Sequence, residues 1–289
     1  MNNKLAIMNI NKALSAPFSV GSEELGFALK VLKGLDLAVE KREVCAPATV
    51  KELETRLRAH KERIESMVGL RPFRRPEFIT FTGLDEHTDL VRAGKLSEKY
   101  PIEWGVLLSP KLQGQDQRYP GPEVIRSIEA TPNLRLSGHI CGAYSRQIMN
   151  LSPVSLPVRP DRYTRFQINT SMPSIMAATS FQTLIGRSCI LQSRDHEFPA
   201  FPEVHWLFDK SGGEGIVPLS WPPHPGSDHL VGYAGGISPT NVKLVIETIR
   251  ADGPYWLDME SGVRTGNWLD LGKCEAVCEM VFGDQDGRA

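Results

Sequence analysis

Three glycine-rich stretches are the places where this chain could hold an anion: LFDKSGGEG (207–215), LVGYAGGISPTNV (230–242) and WLDMESGVRTG (256–266). Each contains or follows a short apolar run. Glycine reaches unusual backbone angles and lets another group come close. Turns of this kind leave N–H groups pointing outward, and a following helix adds the positive end of its dipole. In a single loop, Gly212, Gly213 and Gly215, or the pair Gly235 and Gly236, would serve a tight turn and nothing more. Three such loops at one end of a sheet, the third supplying Ser261 and Gly262, predict a phosphate cradle built with few cationic side chains.

Other groups offer proton or metal chemistry. His139 and Cys141 end an apolar run two residues apart, so their side chains share a face. Facing inward, either is a possible base; facing outward, both are packing residues. The clusters DEH (85–87) and DHE (195–197) read as solvated loop residues. Cys274 and Cys278 lie four apart with Val277 and Val281, an apolar helical stripe that points to packing, and no metal or cofactor is inferred.

What must position these groups is a run of short apolar segments alternating with polar joints and amphipathic stretches. Eight strands are expected, at 78–83, 102–108, 134–140, 165–169, 188–193, 204–209, 229–234 and 254–259. Eight strands with helical crossovers in roughly 200 residues predict a (βα)8 barrel, an α/β TIM barrel whose site lies where the strands end. Ser238 is expected to cap a helix with Pro239 at its first position, and Val242, Val245, Ile246 and Ile249 give its buried face. The crossovers after strands 5 and 6, RDHEFPAFPE and SWPPHPGSD, are too short or too rich in proline for full helices. Ahead of the barrel (77–289), residues 1–76 read as a helical N-terminal extension. Its stripes Leu25, Leu29, Leu32 and Leu35, then Val50, Leu53, Leu57, Ile64 and Met67, are expected to cover the barrel wall there, in the same chain or a homodimer partner.

Composition narrows the partners. Lys and Arg total 33 against 34 Asp and Glu, so no field of one sign draws in nucleic acid or an acidic membrane surface. Hydrophobic residues at 41% and charged residues at 23% are the balance of a globular protein. The five cysteines show no CxxC pair, the N-terminus has no leader-like apolar core, and no apolar run approaches spanning length. A cytoplasmic protein with reduced thiols, monomeric or homodimeric and taking a small phosphorylated metabolite, is the expectation.

Four segments, in order, resemble the phosphoribosylanthranilate isomerase family of tryptophan biosynthesis over about residues 78–283. GVLLSPKLQGQDQRYPGPEVI, LFDKSGGEG, LVGYAGGISPTNV and WLDMESGVRTGNWLDLGK are similar to that family's Ser-Pro and Arg-Tyr run, Leu-Leu-Asp with Gly-Gly-x-Gly, double glycine with Pro-x-Asn-Val, and Asp-Val-Ser-Ser-Gly-Val-Glu segment. The resemblance implies an Amadori rearrangement of an aminoaldose phosphate. It makes Asp209 the acid, Arg118 the partner of a substrate carboxylate, and the backbone of Gly213, Gly215, Gly235, Gly236, Ser261 and Gly262 the phosphate holder. Two positions depart from it. Thr82 stands where the family has its cysteine base, and Asn169 where it has a histidine. A threonine hydroxyl does not ionise near neutral pH as a tuned thiol does. The expected function is therefore acid/base isomerisation of a phosphoribosyl-amine substrate or a variant of it; the alternative is a non-catalytic phosphometabolite-binding protein on the same scaffold.

Overall fold

The computed structural model describes residues 74–210, 215, 217, 218, 220–226 and 228–283. The expectation for residues 1–73 lies outside them. Eight parallel strands close into a barrel in chain order. They are β1 (Phe78–Thr82), β2 (Ile102–Leu108), β3 (Leu136–Ile140), β4 (Tyr163–Ile168), β5 (Ser188–Ser193), β6 (His205–Asp209), β7 (Val231–Ala234) and β8 (Tyr255–Met259). β1 closes the ring by pairing with β2 on one side (Ile79 with Ile102) and β8 on the other (Phe78 with Trp256). Strands buried on both faces explain why they read as near-continuous apolar runs.

Among the described residues six helices pack outside: α1 (Leu90–Lys99), α2 (Pro122–Ala130), α3 (Ala143–Met149), α4 (Ile175–Ile185), α5 (Val242–Ile249) and α6 (Leu271–Phe282). Local chemistry sets their ends. Asp89, Ser174 and Asp270 accept backbone N–H bonds at the starts of α1, α4 and α6, and Gly186 closes α4 in the left-handed conformation. The start of α5 differs from expectation. Asn241, not Ser238, is its cap residue. Ser238 opens the preceding turn, and the Asn241 amide reaches back to it and to the Gly236 carbonyl (2.8 Å each), pinning the double-glycine loop to the helix.

No helix lies between β5 and β6, and none is found between β6 and β7 among the described residues. The expected bare wall is partly covered by aromatic residues of those connections. Phe198 packs edge-on against Tyr233 (5.3 Å), and Trp221 against Phe208 and Tyr233 (5.8 and 6.0 Å). Among the described residues no helix is long and apolar enough to cross a membrane.

The barrel interior holds a buried charged cluster. Arg165 and Glu103, both buried, meet at 2.7 Å, and Thr80 and Thr164 add hydrogen bonds to the same carboxylate. The Arg165 guanidinium lies over the Trp256 ring (4.0 Å) and near Phe78 (4.7 Å). Gly232 makes room for that indole, because a Cβ there would collide with it.

Candidate active site at the strand ends

Register places two carboxyl groups. Asp209 pairs in the sheet with Ala234, and Ala234 with Asp258, so the two aspartates stand at one level with a single methyl between them. Two strand spacings put their backbones roughly 10 Å apart. Both side chains line a cleft of about 610 Å³ of open space, solvent mouth included, together with Thr82, His139, Gln167, Asn169, Gln192, Gly215, Gly235, Gly236, Glu260 and Ser261. The cleft thus gathers most of the residues picked out in the sequence, from six strands distant in the chain.

Asp209 accepts from the Gln192 amide at 3.2 Å and is 6% exposed. Thr82 is buried, and its hydroxyl donates to Asp258 Oδ1 at 2.8 Å. Burial pushes the Asp258 carboxyl up to about 8, opposed by the Thr82 hydrogen bond and reinforced by the nearby Glu260 charge. A carboxyl near 8 is part ionised at neutral pH and, once ionised, a stronger base than an ordinary aspartate. Asp258 was not singled out in the sequence, although the alternation Trp256, Asp258, Glu260 in β8 and just beyond it marks all three as inward.

Of the two alternative bases, His139 faces inward. Ser137 Oγ lies 3.2 Å from its Nε2, and burial pulls its pKa down to about 4, so the ring is neutral. Gly105 leaves the space it occupies: a Cβ there would lie 2.7 Å from Thr82 Oγ1 and 2.9 Å from His139 Nε2. Cys141 accepts from the Asn169 amide at 3.1 Å, and burial raises its thiol, which holds it protonated. Asn169 in turn accepts from Gln167 at 2.7 Å.

Arg118 is engaged. Its Nη1 pairs with Glu260 Oε1 at 3.0 Å and its Nε donates to Asn267 Oδ1 at 2.9 Å. The cluster expected to be a solvated DEH loop is in part structural: Asp85 is 1% exposed and accepts from Arg264 Nη1 (3.1 Å) and Leu269 N (2.7 Å). Gly83 allows this, since a Cβ at its φ of 100° would collide with the Arg264 guanidinium. Asp195, His196 and Glu197 are exposed.

The glycines of the three loops meet one another. A Cβ at Gly236 (φ 58°) would lie 2.7 Å from the Gly215 carbonyl and from Val217 N. One at Gly215 (φ 69°) would collide with the Ser261 hydroxyl, and one at Gly262 with the Ile237 carbonyl. Close approach is therefore first of all between loops. Among the described residues no acceptor takes the N–H of Gly235, Gly236, Ser261 or Gly262, which leaves these donors to a ligand or solvent. Gly213 lies outside the described residues.

No family model matches the chain, and no curated protein does. Among solved structures, phosphoribosyl anthranilate isomerase from Thermotoga maritima is similar at 18% identity, over 73% of this chain and 100% of that one, with a TM-score of 0.51. A phosphoribosyl anthranilate isomerase in complex with reduced 1-(o-carboxyphenylamino)-1-deoxyribulose 5-phosphate is similar at 16% identity, over 71% of this chain and 98% of that one, with a TM-score of 0.47. The Pyrococcus furiosus enzyme gives 17%, 71%, 98% and 0.46. At these identities the likeness establishes the architecture: the chain is a (βα)8 barrel of the kind that phosphoribosyl anthranilate isomerase from Thermotoga maritima also adopts.

Proposed function

We propose that the chain is a phosphosugar isomerase acting on a phosphoribosyl-amine substrate, with Asp209 as acid and Asp258 as base. The observation that supports the reading best is the pair of buried carboxylates level with each other across Ala234, in a cleft lined by Gly235, Gly236 and Ser261, whose backbone N–H groups no described residue accepts. Asp209, as the general acid, delivers a proton to the ring oxygen as the bond from that oxygen to C1 breaks, leaving a C1=N iminium. Asp258 then takes the C2 proton, and the electron pair moves to form the enolamine, which tautomerises to the aminoketose. Thr82, unable to be the base itself, orients Asp258 through its hydroxyl. The loop N–H groups hold the phosphate.

The test is turnover of N-aryl phosphoribosylamines by wild type, Asp209→Asn and Asp258→Asn, with inorganic phosphate binding measured in parallel. Each substitution should lower the rate by roughly 10² to 10⁴ while phosphate still binds. Full activity in Asp258→Asn would remove it as the base. Phosphate binding with no turnover in any form would favour the non-catalytic binding protein, a reading supported by the absence of an ionisable group at Thr82.

A further inference from the structure

Arg118 and Glu260 meet at the rim of the cleft, and their pairing bears on which ligand it admits. The guanidinium is held by Glu260 at 3.0 Å and Asn267 at 2.9 Å. Glu260, not Arg118, lines the cleft. The charged residues lining it, among those described, are Asp209, Asp258 and Glu260. A ligand carboxylate placed beyond the phosphate would meet three acidic side chains. To take Arg118 Nη1 it would also have to displace Glu260, exchanging one ion pair for another.

A second observation points the same way. Gln167 is 4% exposed and lines the cleft, and its buried Oε1 has no hydrogen-bond partner among the described residues. Its Nε2 is committed to Asn169 Oδ1, and the Asn169 amide nitrogen to Cys141, so the network leaves an unmet acceptor there. Buried acceptors without partners are uncommon and call for a donor.

We propose that Glu260 is a specificity-determining residue: by occupying Arg118 and presenting its own carboxylate, it selects a phosphosugar whose nitrogen substituent donates hydrogen bonds, and it rejects one carrying a carboxylate. This rests on the cleft being the phosphosugar site. The selection is a difference of affinities, with the repulsive element built into the site.

Calorimetric titration with three ligands tests it: inorganic phosphate, reduced 1-(o-carboxyphenylamino)-1-deoxyribulose 5-phosphate, and its o-(aminomethyl)phenyl counterpart. Wild type should bind the aminomethyl ligand at least about tenfold more tightly than the carboxy ligand. Glu260→Gln, which keeps the volume and frees Arg118, should shift that ratio toward the carboxy ligand by at least about tenfold and leave phosphate binding within about twofold. Arg118→Gln, which leaves Glu260 unpaired, should tighten the aminomethyl ligand. A wild-type preference for the carboxy ligand, or an unchanged ratio in Glu260→Gln, overturns the proposal while phosphate binding keeps the site. Failure of all three ligands to bind wild type overturns the site and the proposal together.

Discussion

The hydroxyl of Thr82 and the carboxylate of Asp258 join the first strand to the last, 2.8 Å apart at the C-terminal end of the barrel interior. The bond crosses the seam where the barrel closes, and both partners are almost fully buried. A hydroxyl donor of this kind favours the ionised carboxylate, while burial and the Glu260 and Asp209 charges disfavour it; burial wins, and Asp258 titrates near 8.

That balance predicts how stability depends on pH. Asp258 keeps its proton in the folded chain up to about 8 but loses it in the unfolded chain near about 3.9. Between those values the folded state holds the extra proton, so the contribution of this group is full below about pH 4 and declines as pH rises to 8. Asp258→Asn removes the dependence. Urea midpoints at pH 5, 7 and 9 should show the variant gaining on wild type as pH rises, and parallel curves would show that Asp258 is not the titrating group.

Replacing Thr82 with valine deletes the donor and keeps the shape. The Asp258 carboxyl should then titrate above its wild-type midpoint of about 8, because the one hydrogen bond that lowers it is gone. Carboxyl carbon NMR through a pH series reads this directly. A midpoint equal to or below wild type would mean that the hydroxyl does not bias the ionisation.

Much of this arrangement was legible in the sequence, for reasons particular to each part. The strands are buried on both faces, so their apolar runs name them without alternation, and the prolines of SWPPHPGSD forbid a full helix after β6. Asp209 and the glycines carried local motifs. What was not legible depends on neighbours across the barrel. Thr82 reads as a lost base until Asp258, 176 residues away, is seen beside it. Arg118 reads as an open anion clamp until Glu260 closes on it. Asp85 reads as solvated until Arg264 arrives from beyond β8, through space that Gly83 leaves. Asn241, not Ser238, stands at the helix start, and its amide bonds back into the loop, to Ser238 N and the Gly236 carbonyl, rather than to a helix N–H.

The buried pair in the barrel interior gives a prediction of the opposite sign in pH. Burial alone would push Glu103 up, but Arg165, Arg135 and the Thr80 hydroxyl outweigh it and hold the carboxyl below its ordinary value. Its stabilisation is therefore present above the unfolded pKa and lost as pH falls through the lower folded one. Glu103→Gln or Arg165→Met alone should cost about 3 to 5 kcal/mol, because each leaves one buried group unmatched. The double variant Glu103→Leu with Arg165→Met should recover much of that loss. Additive losses in the double variant would argue against coupling between the two.

Gly236 separates two reasons for a double glycine. Its φ of 58° strains any other residue, and a Cβ there would press on the Gly215 carbonyl and Val217 N at 2.7 Å, so Gly236→Ala should destabilise the fold by roughly 1 to 3 kcal/mol through the loops alone. If the N–H groups of Gly235, Gly236, Ser261 and Gly262, which no described residue accepts, also bind phosphate, the rise in melting temperature caused by inorganic phosphate in wild type should vanish in the variant, since only ligand bound to the native state contributes to it. Thermal unfolding with and without phosphate gives both numbers from one sample. A lower melting temperature with the phosphate increment intact would assign Gly236 to loop packing and place the anion elsewhere.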